Sequence, residues 1–268
     1  MKRALMGAFV LLALGAGTAN AQQEPPATRI DFANHGYRGQ LTLRYWYGNN
    51  SIDQWFKGEG IDTFANTKLS MGLLNLQSDH WFGILTPEGL GFLGSVFGLG
   101  LSLDYADTLV QNVRLMTYMM DFSFAKLAIL HDPEFKNSLT LSAHYISYFN
   151  SIYDNLLLTQ SAPFFGVGIG VEARHSIFDI GEASYKLTYV PSSRSPTPLP
   201  DGLGLLGEIN TRWFINSNLA FNAGYRFNFF TANGSTSAQN TQTGQNLTLN
   251  RTLQDMFHGV NIGLTTYF

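Results

Sequence analysis

Few residues in this chain have the types and spacing that catalysis requires. The sequence contains no cysteine, which excludes disulfides, thiolate nucleophiles, cysteine metal ligands and acylation on cysteine. It contains no HExxH pair or Walker loop, and Gly166, Gly168 and Gly170 alternate within a strand-like segment that no helix follows. We therefore predict no metal and no organic cofactor.

Ionisable residues recur instead at alternate positions of segments that read as β-strands. On the polar face of these segments we place six bases, five acids and one neutral histidine. They are Arg44, Lys68, Asp104, Asp121, His144, Glu172, Arg174, Glu182, Lys186, Glu208, Arg212 and Arg226. Because a low-dielectric interior tolerates charges only when they are paired, this balance predicts a salt-bridge network. The alternative is that the same groups line a constricted water path and select solutes by charge.

The strand pattern is clearest in the last thirteen residues, 256–268. Val260, Ile262 and Leu264 share one side of a two-residue period, and small or polar residues share the other. Nine earlier segments show related alternation. The predicted strands are about 39–48, 67–76, 91–104, 113–126, 138–149, 164–174, 180–190, 203–214, 219–230 and 256–268.

Composition limits the class of protein that such strands can build. The chain has 268 residues, of which 45% are apolar and 13% are charged. The charged fraction is about half of the ~25% found in soluble domains. No apolar run of 18 residues follows residue 21, which excludes a helical membrane protein. A transmembrane β-barrel reconciles these facts because it spreads its hydrophobicity over alternate positions.

The N-terminus reads as a secretory signal peptide. Lys2 and Arg3 precede a short apolar run, and a small-x-small pattern ends at Ala21. We predict cleavage near Ala21, a periplasmic lead over 22–36 and a barrel over 37–268. Without Lys2 and Arg3 the chain keeps 14 basic residues against 19 acidic ones, so nothing predicts a nucleic-acid partner.

The strand that ends on Phe268 resembles the closing strand of bacterial outer-membrane β-barrels. This resemblance implies an all-β fold with a single antiparallel transmembrane barrel of about ten strands, with eight or twelve as alternatives. It implies residence in the outer membrane of a Gram-negative bacterium, in contact with lipid and lipopolysaccharide. The barrel-assembly machinery and periplasmic chaperones would be transient partners. In the soluble alternative, a lipocalin-like barrel or sandwich, glycine-rich strands would have to face water.

The predicted connections alternate between long and short, as the surface loops and periplasmic turns of such barrels do. We predict polar surface loops over 49–66, 191–202 and 231–254, the second excluded from a sheet by its four prolines. Two connections depart from the alternation. Residues 77–90 are long where a turn is expected, and 105–112 are short where a loop is expected.

Three functions fit this architecture. The first is a small pore or uptake channel for small solutes, and the second is a closed structural or adhesin-like barrel that binds ligands through its surface loops. The third is an enzyme, either an omptin-type protease or a lipid hydrolase. The protease would use rim residues, namely Asp104, Asp107, Asp255 and His258. The hydrolase would use Ser142 and His144, but their alternation predicts that both point inward. Since no enzyme motif matches, we predict that the protein is not an enzyme.

Overall fold

The computed structural model describes ten strands and parts of the turns that join them. The described residues are 37–83, 96–110, 113–131, 137–154, 157–177, 180–195, 199–216, 218–239, 244 and 246–268. The predicted signal peptide and lead lie outside them. The strands are β1 (Tyr37–Gly58), β2 (Ile61–Gly83), β3 (Val96–Val110), β4 (Val113–His131), β5 (Asn137–Asp154), β6 (Leu157–Ile177), β7 (Gly181–Ser195), β8 (Leu199–Asn216), β9 (Leu219–Gln239) and β10 (Asn246–Tyr267).

These strands form one closed antiparallel barrel. Each strand pairs with its neighbours in sequence, and β1 pairs with β10 from Gln40↔Tyr267 to Lys57↔Asn250. The prediction of an all-β barrel with ten strands is confirmed. Across the described ranges, no helix is long and apolar enough to cross a membrane.

The barrel has two ends, which we name by the chain. The terminal end holds the start of β1 and the C-terminal Phe268, whose backbone exchanges hydrogen bonds of 2.8 and 3.0 Å with Gly39. The distal end holds the β1–β2, β3–β4, β5–β6, β7–β8 and β9–β10 hairpins.

Side chains alternate across the barrel wall as the sequence pattern predicts. On β1, Tyr45 and Tyr47 are about half exposed on the outer wall, at 48% and 52%, whereas Arg44 and Trp46 are buried inside at 2% and 1%. On β10, Val260 and Ile262 are exposed. The outer wall is therefore largely apolar and the interior largely polar.

The predicted loop over 49–66 is wrong, because β1 and β2 continue through it. Gly58 pairs with Ile61, leaving a turn of only Glu59 and Gly60. These two residues have φ values of 48° and 82°. Positive φ at both positions is the type I′ geometry that suits the twist of a two-residue hairpin. The polar composition of 49–66 belongs to strands rather than to a loop.

The other predicted connections are also shorter than expected. Strand β7 runs through Pro191 to Ser195, and β8 begins at Leu199 and includes Pro200, so the exclusion of these prolines from the sheet is wrong. Pro191 lies where the register shifts between Val190 and Ser193. A bulge there tolerates a residue that cannot donate to the ladder.

Strands also occupy at least half of each of three further connecting ranges. Strand β9 reaches Gln239 and β10 begins at Asn246, both inside the predicted 231–254 loop. Strands β3 and β4 likewise fill 105–110 and begin again at Val113. Strand β2 occupies 77–83 of the predicted 77–90 turn, and the remainder of that turn lies outside the described residues.

Candidate functional site

The interior of the barrel is the first candidate site, and eleven of the twelve predicted charges point into it. In its middle, Arg44 donates to Asn75 at 2.9 Å and pairs with Glu208 across the lumen. Arg226 lies 3.0 Å from Asp104 and 3.9 Å from Glu208. These opposite charges from β1, β3, β8 and β9 therefore neutralise one another.

A second group of ion pairs lies nearer the terminal end. Lys126 Nζ lies 2.7 Å from Asp79 and 3.8 Å from Glu172. Glu172 also accepts a hydrogen bond of 2.6 Å from Arg174 Nε. The charges again balance within the group, as a buried network requires.

A further pair joins β7, β8 and β1 at this level. Arg212 Nη1 donates to Glu182 at 2.5 Å and lies 3.4 Å from the Gln40 side-chain oxygen. The Arg212 side chain is buried, while Glu182 is about one-fifth exposed, at 21%.

Sequence reasoning missed Asp79 and Lys126. Asp79 fell in the range predicted as a turn, although it shares a two-residue period with Asn75 and Gln77. Lys126 follows a register shift between Ser123 and Ala125, which moves the inward face by one position. Strict alternation misplaces every residue beyond such a bulge.

The predicted inward position of Lys68 is wrong. Its side chain is exposed on the outer face of β2, while Met71 and Leu73 of the same strand are buried inside. The alternation of β2 is unbroken, so Met71 and Leu73 share the inward face with Asn75, and Lys68 falls on the outer face. The pattern alone could not distinguish an apolar interior from an apolar outer wall.

Ser142, His144 and Asp121 form a hydrogen-bonded chain inside the barrel. Ser142 Oγ lies 2.7 Å from His144 Nε2, and His144 Nδ1 lies 2.6 Å from Asp121. These are the spacings of a serine hydrolase triad. Asp121, however, is also 3.1 Å from Lys186 Nζ, and His144 is fully buried.

The wall beside this chain leaves no room for an acyl substrate. A Cβ added at Gly170 would lie 2.6 Å from both Ser142 Oγ and His144 Nε2, so the backbone of β6 stands directly against the two atoms. An acyl carbon would need that space to approach the hydroxyl. We therefore interpret Ser142, His144 and Asp121 as part of the lumen network.

An aromatic cluster fills the distal half of the lumen above the charges. The rings of Tyr148 and Phe230 stack with centroids 4.7 Å apart, and those of Phe164 and Phe230 at 5.2 Å. Trp46 and Phe257 meet edge to face at 4.3 Å. None of the five side chains is more than 2% exposed. We call these five residues the lumen cluster.

Polar groups tie the lumen cluster to the network around it. The Arg226 guanidinium lies over the Trp46 ring at 4.7 Å. Tyr148 Oη and Asn150 Nδ2 donate to the buried Asp255 carboxyl at 2.7 and 2.8 Å. Such contacts hold the rings in one arrangement.

A small cavity lies within the charge network of the lumen. It has a volume of about 20 Å³ and lies among polar residues that include Asp121, Lys186 and Glu208. It holds about one water molecule.

The four residues of the predicted protease rim do not converge. Asp104 and Asp255 lie inside the barrel, and His258 points outward to within 2.7 Å of Tyr225 Oη. Asp107 is at the distal hairpin of β3 and β4, where Arg114 holds it with hydrogen bonds of 2.8 and 2.7 Å. These bonds and the charge of Arg114 lower the pKa of Asp107.

Four strands extend beyond the rest of the barrel at the distal end. Pairing of β2 with β3 ends at Leu74↔Tyr105, but pairing of β2 with β1 continues to Ile61. Pairing of β9 with β8 ends at Asn233, while its pairing with β10 continues to Gln239. The strands beyond these points form one sheet in the order β2-β1-β10-β9, which we call the projecting sheet.

Comparison with known proteins identifies the fold. No family model and no curated protein sequence matches the chain. The outer-membrane protease OmpT from Escherichia coli matches with a TM-score of 0.56 at 12% identity, over 90% of this chain and 100% of that one. The chain therefore shares the barrel fold of this outer-membrane protein.

Structures of other kinds of barrel also match. The translocator domain of the autotransporter NalP from Neisseria meningitidis matches at 13% identity and a TM-score of 0.36, over 99% of this chain and 96% of that one. A Pseudomonas aeruginosa FadL homologue matches at 10% identity and a TM-score of 0.32, over 87% and 90%. At such identities the likeness concerns the fold alone and assigns no activity to this chain.

Proposed function

We propose that this protein is a closed outer-membrane barrel that acts at the cell surface by binding through its projecting sheet. The lumen cluster carries this proposal. Five fully buried aromatic side chains fill the distal half of the interior. The distal end then faces the outside of the cell, and the terminal end faces the periplasm.

The charge network supports a closed barrel rather than a conducting pore. A conducting path needs continuous water, and its charges must meet the passing solute. Here Arg44, Arg226 and Lys126 are each paired with acids across the lumen and are almost fully buried. A barrel of ten strands is only slightly wider than one that side chains fill completely.

The projecting sheet offers the surface for binding. Strand β1 continues beyond Tyr45, which pairs with Leu74 where β2 leaves β3, and residues 50–58 are the outer part of this extension. At ~3.3 Å per residue and a tilt of ~45°, this length of strand raises the hairpin tip by about 20 Å. Binding residues are commonly carried on parts that a rigid scaffold presents to solvent.

Recording single channels in a planar bilayer tests closure. The purified protein is refolded, and its folding is verified by heat-modifiable gel migration. We expect a folded protein that inserts without conductance steps. Stable steps that shift when Glu208 or Arg212 is neutralised would overturn the proposal in favour of a pore.

A truncation tests the binding role of the projecting sheet. Joining β1 to β2 by a short turn after residue 50 removes the tip but keeps the barrel strands. Binding of the protein to bacterial or host surfaces should be lost while heat-modifiable migration is kept. Binding that survives the truncation would place it elsewhere on the barrel.

A further inference from the structure

The projecting sheet has one long open edge. Residues 61–73 of β2 pair with β1 on one side, and no strand of the described chain pairs with them on the other. An open edge presents unpaired backbone donors and acceptors, and it accepts an added strand from another chain. The outermost nine residues of this edge, 61–69, are sufficient for a full strand.

The sequence of this edge is complementary to itself. Asp62 and Lys68 are both exposed on its outer face, and Ala65 lies midway between them. If two copies pair antiparallel with Ala65 opposite Ala65, each Asp62 lies opposite the other copy's Lys68. In the same register Thr63 lies opposite Thr67, which is also a favourable cross-strand pair.

The pairing is a two-fold contact between identical surfaces. The pair of Asp62 and Lys68 then occurs twice in one dimer, as the symmetry of such an interface requires. Small Ala65 side chains meet at the axis, where bulk would separate the strands. Moving the axis to a neighbouring residue takes Asp62 and Lys68 out of opposition.

We infer that the β2 edge pairs with the same edge of a second copy in a facing membrane. Two copies in one membrane have the same orientation. Their β2 strands therefore run in the same direction relative to the membrane and cannot pair antiparallel. A copy in an opposed membrane is inverted, and its β2 runs the other way. This inference rests on the proposed function, because it requires the projecting sheet to lie outside the cell.

Adhesion between the two membranes is strong because many copies make this contact at the same time. A pair of exposed ions contributes little alone and is screened by salt. Many copies on two surfaces add their weak contacts, because each bond formed brings its neighbours into reach. Adhesion should therefore fall as ionic strength rises.

Aggregation of proteoliposomes tests the register directly. Vesicles carrying the refolded protein should aggregate in dynamic light scattering. Asp62→Lys vesicles and Lys68→Asp vesicles should each fail to aggregate alone, because like charges face each other in both. A mixture of the two should aggregate, because every Lys then meets an Asp. The double variant Asp62→Lys/Lys68→Asp should aggregate alone.

Matched controls distinguish an effect of this strand pairing from an effect of the protein's net charge on aggregation. Asp107→Lys and Arg114→Asp make the same charge changes at another distal hairpin and should aggregate as the unchanged protein does. If the single edge variants aggregate normally, or if their mixture stays dispersed, the inferred register is wrong.

A cross-link supplies an independent measurement. The natural chain has no cysteine, so Ala65→Cys places a single thiol on the proposed axis. Oxidation of aggregated vesicles should give a disulfide-linked dimer, since directly opposed strand positions lie within disulfide range. Thr252→Cys is the control and should stay monomeric, because Thr252 lies on β10, which is paired with a strand on each side. Monomer alone from Ala65→Cys would overturn the inference.

The two proposals fail in different ways. Conductance steps would overturn the closed barrel whatever the vesicles do. A silent barrel whose vesicles stay dispersed would overturn self-pairing and leave surface binding to a different partner.

Discussion

At the residue scale, the lumen is a set of charges whose partners lie on both neighbouring and distant strands. Arg226 on β9 meets Asp104 on β3 and Glu208 on β8, and it also covers the Trp46 ring. One side chain thus links the charge network to the lumen cluster. Removing it leaves two carboxylates with fewer partners in a low-dielectric interior.

We predict that Arg226→Ala lowers the free energy of unfolding by about 3–5 kcal/mol, the usual cost of breaking a buried pair. Urea titration of the refolded protein in lipid vesicles, followed by tryptophan fluorescence, measures this loss. Arg114→Ala is the matched control, because Arg114 is exposed at a hairpin and its ion pair should add nothing measurable. Equal stability of the two variants would contradict the role of Arg226.

Ser142 is the residue that most resembles a nucleophile. Because Gly170 stands against its hydroxyl, we predict that a fluorophosphonate probe does not label the folded protein. Mass spectrometry after incubation checks this, with a serine esterase as the positive control. A probe adduct on Ser142 that disappears in His144→Ala would show that the chain of Ser142, His144 and Asp121 is reactive.

At the element scale, hairpin turns decide how far strands extend. The β1–β2 turn needs a positive φ at Gly60, which costs a glycine nothing and a β-branched residue a great deal. The same turn sets the register of the projecting sheet, and hence the alignment of its open edge.

We predict that Gly60→Val destabilises the distal hairpin by about 1–3 kcal/mol without unfolding the barrel. Limited proteolysis should cut the hairpin faster, while heat-modifiable migration is unchanged. Glu59→Asn is the control, because asparagine tolerates the left-handed φ of 48° at that position. Unchanged proteolysis of Gly60→Val would show that the turn does not limit the hairpin.

At the scale of the whole molecule, the proposed closure depends on rings from two neighbouring strands and from a third strand farther around the barrel. Tyr148 comes from β5, Phe164 from β6 and Phe230 from β9. Since the barrel wall is held by its own ladder of hydrogen bonds, the rings can be removed without opening the wall.

We predict that the triple variant Tyr148→Ala/Phe164→Ala/Phe230→Ala conducts ions where the unchanged protein is silent. Planar bilayer recording measures this, after heat-modifiable migration has verified folding. A control variant carries alanine at Tyr145, Phe165 and Phe221, which lie exposed on the outer wall of the same three strands. A folded triple variant that remains silent would mean that the charge network alone closes the lumen.

The sequence by itself determined the class of fold, because alternation is a local property of each strand. Ten alternating segments and the low charge predicted the barrel, and the structure has ten strands. Eleven of the twelve predicted inward charges lie inside for the same reason. Residue identity also predicted that these charges would be balanced.

Only the tertiary structure decided where strands end, where bulges fall and which rings meet. The bulge before Lys126 and the inward placement of Met71 and Leu73 on the strand that carries Lys68 depend on pairing between strands and on neighbours distant in sequence. Whether the barrel is open depends on how aromatic residues from β5, β6 and β9 pack across it. A two-residue period says which side a residue faces, but the contacts across the lumen are set by closure of the barrel.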